Sequence, residues 1–153
     1  MDLLEQAPAR IAVLTEGLTL EQLRAAPTPG EWSANGVLAH LRSCADVWGG
    51  CIATMLAEDN PTIRAMNPTT WILSTDYPDL QFSESLNAFS TQRADLMMTL
   101  RQLTPAGWER GATVTGAGKP LHPSVFSFAN RLAIHERPHL KQIARTVDVV
   151  RNA

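Results

Sequence analysis

The feature that most narrows the fold of this chain is the spacing of its apolar residues, which recur at three, four and seven along four long segments. The first runs from residue 2 to 25 through Leu4, Ala7, Ile11, Leu14, Leu18 and Leu23, with a break expected near Gly17 and Thr19, and Pro27, Pro29 and Gly30 end it. The second opens at Ser33, a candidate N-cap, and reaches about Glu58 along Val37, Leu38, Leu41, Ala45, Trp48, Ile52 and Met55. The third is expected to start at a Ser83 or Ser85 cap, to carry Leu86, Phe89, Arg93, Leu96, Met97 and Leu100, and to stop at Thr104-Pro105. The last begins at a Ser124 cap and runs through Val125, Phe128, Leu132, His135, His139, Ile143 and Val147. Four amphipathic helices predict an all-α four-helix bundle. At 153 residues the chain is read as one domain, 1–153, long enough to bury roughly two-thirds of its unfolded surface without a disulfide.

Two stretches break the helical period. Residues 59–82 contain Pro61, Pro68 and Pro78 among Asn60, Asn67 and Asp76, and read as a long connection between the second and third helices with at most a turn or two of helix. In a bundle, a connection of that length can cross one end rather than make a tight hairpin. Residues 107–123 are rich in Gly and Pro, and their middle, residues 112–115, could pair only as a short ribbon.

With 13 basic and 15 acidic residues spread without runs, the net charge of -2 offers no footprint for nucleic acid or an anionic membrane. Asp2, Glu5, Arg10 and Glu16 interrupt the first twenty residues, and no long apolar run follows, so neither a signal peptide nor a membrane span is expected and the protein reads as cytoplasmic. Cys44 and Cys51 are seven apart on one expected helix, about 10 Å along its axis and beyond disulfide reach. Lacking a Cys-x-x-Cys context, they read as small buried apolar side chains, with a thiol ligand or nucleophile as the alternative.

The chemistry concentrates in the last helix. His135 and His139 are four apart and share a helix face, a metal-ligand spacing for which chance among 4 histidines would supply roughly 0.1 pair. A divalent metal requires at least a third ligand, and His40 is the candidate, because it lies on the face formed by Val37, Leu41 and Cys44 that should point into the bundle. His122, in a loop, has no periodic reason to converge. Pro138 removes a backbone donor and crowds the carbonyl of Ile134, which should kink the helix at a cost of about 3 kcal/mol. Alternatively the helix restarts there, which would misalign the two imidazoles. Glu136 and Arg137 point to other faces and read as solvated or salt-bridged. Literally, His135-Glu136-Arg137-Pro138-His139 also satisfies the His-Glu-x-x-His pattern of zinc peptidases with Glu136 as base, but Pro suits that straight helix poorly and no strand edge is available to a peptide. Trp32, Trp48, Trp71 and Trp108 are candidates for a substrate cleft, although aromatics at helical spacing are more often core.

Trp32-Ser33 followed by Val37-Leu-Ala-His-Leu41, Arg93, the Leu103-Thr-Pro-Ala-Gly-Trp108 turn and the last-helix phrase from His135 to Ile143 together resemble the DinB-like superfamily of bacterial four-helix bundles. The resemblance spans nearly the whole chain. It implies that His40, His135 and His139 bind a divalent metal, zinc or nickel. It also implies a thiol S-transferase that joins a low-molecular-weight thiol to small electrophiles, with the cofactor thiol held as thiolate at the metal's open position. A homodimer is a further expectation from the resemblance and from the commonness of symmetric pairs. A bundle that binds metal and catalyses nothing, or serves a stress response, stands beside it as the alternative from another class.

Overall fold

The computed structural model describes residues 1–153, and its first periodic segment divides into α1 (Asp2–Thr15) and a short α2 (Leu20–Arg24). Gly17 makes the break with a φ of 75°, in the left-handed region where a Cβ would be strained. Thr19 restarts the helix, its hydroxyl accepting from the Gln22 N–H at 3.1 Å. Next comes α3 (Ala34–Ala57), capped as expected by Ser33, whose Oγ accepts from the Gly36 N–H at 3.1 Å. Replacing that cap, Ser33→Ala, should lower stability by about 1 kcal/mol in chemical denaturation. An unchanged midpoint would mean that packing, not the cap, holds the first turn of α3.

The connection expected at 59–82 holds more order than a loop. It contains β1 (Thr62–Arg64), α4 (Pro68–Trp71) and a single tight turn at Ile72–Ser74. Then α5 (Phe82–Arg101) begins ahead of the expected serines: the Glu84 carboxylate accepts from the Gln81 N–H at 3.2 Å, and Ser85 lies buried inside the helix. Thr104-Pro105 both ends α5 and starts another helix, with the Thr104 hydroxyl capping α6 (Pro105–Glu109). Within the Gly-rich stretch, β2 (Thr113–Thr115) pairs in parallel with β1, Thr62 opposite Thr113. The short ribbon expected at 112–115 therefore finds its main partner some fifty residues upstream, a pairing too short to show in periodicity. Finally α7 (Val125–Arg151) starts at Ser124, which exchanges bonds with Ser127 in both directions.

The four long helices form a bundle in which α1 and α3 each pack between α5 and α7. In ring order the long helices are therefore first, fourth, second, third, and not the simple sequential ring. Bonds from Arg42 to Ser85 and from Gln92 to Asp46 rise together along α3 and α5, so these neighbours run parallel. A parallel neighbour forces the chain back along the length of α3, about 36 Å for its 24 residues, which explains why the connection is long. It is pinned as it returns. Ser43 donates to the Pro68 carbonyl at 2.5 Å, Trp71 and Tyr77 donate to Asp46 at 3.1 and 2.6 Å, and Asn35 donates to the Pro78 carbonyl at 3.2 Å. No helix is long and apolar enough to cross a membrane.

The core falls into two apolar clusters. One gathers Ile11, Leu38, Phe89 and Ile143; the other gathers Leu4, Ile52, Leu100 and Leu132. Between them lies a polar belt in which Arg93 of α5 reaches across the bundle to Glu136 of α7, both nearly inaccessible to solvent. Arg93 also donates to the carbonyl of Leu4 at 2.7 Å. That carbonyl lacks its ordinary helical donor because the residue four positions on is Pro8. The guanidinium thus satisfies an acceptor that the sequence of α1 orphans.

Candidate metal centre

At the level of the polar belt, α3 and α7 lie side by side and each presents a pair of donors one turn apart: His40 and Cys44 from α3, His135 and His139 from α7. The Nε2 atoms of His40 and His139 each lie 3.3 Å from Nε2 of His135. A tetrahedral zinc with metal–nitrogen bonds of about 2.0–2.1 Å holds its ligand nitrogens roughly 3.3–3.4 Å apart, so the two edges that meet at His135 have the length found in such a site. Hydrogen bonding alone serves the cluster poorly, since a single N–H on His135 Nε2 can face only one neighbour. The fold therefore brings together all three histidines singled out by spacing and helix face. His122 stays in its loop, 3.5 Å from the Thr113 hydroxyl.

Each ring is oriented differently. Nδ1 of His139 donates to Oε1 of Gln142 at 2.8 Å, which fixes the tautomer with a bare Nε2 facing the cluster. His135 has no partner for its buried Nδ1 and is instead held by packing, with Trp48 edge-on at 4.9 Å between ring centres. Trp32 lies 5.0 Å from the His40 ring and stacks near His139 at an angle of 14°. Of the four tryptophans, then, Trp32 and Trp48 frame the cluster. Trp71 is tied to Asp46, and Trp108 packs against Phe126.

Burial first, and then the neighbouring imidazoles His139 and His135, lowers the pKa of His40 from 6.5 to about 4. Burial, His139 and Arg131 do the same to His135. Both rings are therefore neutral at pH 7, with lone pairs free for a metal. In the unfolded chain the same groups take up protons near 6.5, so the unfolded state binds more protons between about 6.5 and 4. The contribution of these groups to stability is complete above about 6.5 and is lost as pH falls toward 4. The metal-free protein should show a falling thermal midpoint across that window; a flat midpoint would mean that both histidines titrate normally in the fold.

Pro138 does not interrupt the arrangement. The helix is continuous through it, so the restart that would have misaligned His135 and His139 does not occur. Ile134 and Pro138 are both exposed, on a side of α7 where water can take the carbonyl left without a donor. Arg137 is exposed, as expected. Glu136 is not solvated: it is 2% exposed and doubly bonded to Arg93. Burial pushes its carboxyl pKa up while Arg93 pulls it back. The base that the peptidase pattern requires is thus turned into the core and held there by Arg93, and it does not line the cleft.

Cys44 departs from its expected role as a plain apolar side chain. Buried as expected, it places Sγ 3.5 Å from Nε2 of His40. Burial, reinforced by Glu136 against Arg131, pushes its thiol pKa up to about 12. The four-residue spacing of His40 and Cys44, the same as that of His135 and His139, was the available signal. A cleft of about 630 Å³ opens on the cluster, bounded by His40, Cys44, Trp48, His135, Arg131 and Thr69. Arg131 lies over the Trp48 ring at 5.1 Å and has no acidic partner. A smaller pocket of about 270 Å³ on the other side of His40 is lined by Trp32, Ala39, Ile72 and Pro78. The pinned connection supplies a wall to both.

Fold and cluster together define a four-helix bundle with three neighbouring imidazoles, two of which, His40 and His135, line a cleft. The chain belongs to the DinB superfamily, whose model matches residues 3–143. Among solved structures it is similar to YfiT from Bacillus subtilis, described as a probable metal-dependent hydrolase with an unusual four-helix bundle topology. The TM-score is 0.76 at 23% identity, over 99% of this chain and 83% of that one. No curated protein matches it.

Proposed function

We propose that this protein binds a divalent metal, zinc or nickel, through His40, His135 and His139, and uses it to transfer a low-molecular-weight thiol to small electrophiles. The observation that carries this reading is the Nε2 spacing, 3.3 Å from His135 to each of His40 and His139, with His40 and His135 on the wall of an accessible cleft. When bound, such a metal keeps a position open, at which a thiol is held with a lowered pKa.

The chain's own groups account for the rest. Gln142 keeps the lone pair of His139 aimed inward. Arg131, unpaired at the cleft wall, suits an anionic group on the entering thiol. The apolar pocket beside Trp32 suits the electrophile. No protein nucleophile is required, because the thiol is itself the nucleophile: its sulfur forms a bond to carbon, its proton goes to solvent, and a leaving group such as chloride departs. Transfer is favoured over hydrolysis because no carboxylate lines the cleft to act as base toward water.

Elemental analysis of tag-free protein beside the triple variant His40→Ala, His135→Ala, His139→Ala tests the reading. About one metal equivalent is expected in the first and none in the second. The metal-loaded protein should then conjugate a small thiol to a chloroaromatic compound. A wild type that stays empty after incubation with zinc or nickel makes the histidines structural and ends the transferase reading. Metal without conjugate assigns instead a binding module that catalyses nothing.

A further inference from the structure

We propose that Cys44 is a fourth, displaceable ligand of this centre, closing the three-imidazole site in the resting protein and giving way when a substrate thiol enters. The inference rests on the metal reading above and concerns the regulation of that same site.

The contact between Cys44 and His40 has the length of a ligand edge. With a metal–sulfur bond of about 2.3 Å and a metal–nitrogen bond of about 2.0–2.1 Å, a tetrahedral centre sets sulfur and nitrogen roughly 3.5–3.6 Å apart. Sγ of Cys44 lies 3.5 Å from Nε2 of His40, the length of such an edge, while the donor atoms of His40, Cys44 and His135 spread over as much as 4.8 Å, so binding a metal draws the sulfur and His135 closer together. The sulfur has no other hydrogen-bonding partner, so nothing else in the fold uses it. Cys51, by contrast, stands nearly two turns further along α3 and outside the cluster.

Displacement follows from position. Cys44 lines the same cleft through which a substrate thiol must approach, beside Arg131 and Thr69. Exchange of one sulfur for another leaves the local charge unaltered, because Cys44 regains a proton as the entering thiol gives one up. The thioether product carries no ionisable sulfur and is a weak ligand, so Cys44 returns to its place and releases that proton to solvent.

Cobalt(II) reads this without reference to turnover, since a coordinated thiolate gives an intense near-ultraviolet charge-transfer band. With no thiol reductant present, the wild-type cobalt protein should show that band. Cys44→Ala should bind cobalt without it, and added 2-mercaptoethanol should restore it in that variant. Cys51→Ala should keep it. Cobalt bound to the wild type with no such band overturns the role of Cys44 and leaves the three-histidine reading intact. Persistence of the band in Cys44→Ala likewise overturns it. Failure of the wild type and of Cys44→Ala to bind cobalt removes the metal centre itself, and this proposal with it.

Discussion

Arg93→Met is expected to lower unfolding free energy by about 3–5 kcal/mol, because it leaves the Glu136 carboxylate buried and uncompensated at the centre of the bundle. The pair joins α5 and α7, which lie on a diagonal of the ring, and it separates the two apolar clusters. The double variant Arg93→Met, Glu136→Leu should recover most of the loss, since apolar replacements of similar volume often match a buried ion pair. Recovery should fall short by about 1 kcal/mol, because the Leu4 carbonyl loses the donor that Pro8 cannot replace. Adding Pro8→Ala, which returns an N–H four residues after Leu4, should close that gap. Denaturant midpoints measure all three. A single-variant loss of less than about 1 kcal/mol would place the pair in the range of solvated surface bridges.

His139→Ala should reduce thiol conjugation to the uncatalysed rate and weaken metal binding by more than about 100-fold, beyond the loss usual for a group that only supports a ligand. His139 is half-buried, so the variant should fold. Gln142→Ala separates orientation from ligation: it removes the acceptor that fixes the His139 tautomer and should weaken metal binding by roughly 10–100-fold while leaving stoichiometry unchanged at saturation. Competition with a chromogenic chelator measures both affinities. Conjugation unchanged in His139→Ala would take the metal out of the mechanism.

The parts of the molecule that were legible in the sequence are those set by local periodicity and local chemistry. Ser33 and Ser124 cap where expected because a hydroxyl before an apolar period satisfies amides only a few residues away. The break at Gly17 is equally local. His40, His135 and His139 could be chosen because four-residue spacing and helix face put them on lines that a bundle folds together. Cys44 carries the same spacing from His40, but a lone buried cysteine on an apolar face ordinarily has no chemical role.

Other features had no local cause. The pairing of β1 with β2 joins segments some fifty residues apart over three residues each, so neither shows a period of its own. Glu136 read as salt-bridged or solvated from its helix position, and only the placement of α5 made it a buried partner of Arg93. The sequence by itself determined the four helices, the starts of the second and the last, and the three candidate imidazoles, because those depend on contacts within a few turns. Only the tertiary structure decided the ring order of the helices, the return of the connection along α3 as a wall of the cleft, and the meeting of the His40–Cys44 turn of α3 with the imidazoles of α7. Each of these depends on which faces meet across the bundle, and periodicity marks a face without naming its partner.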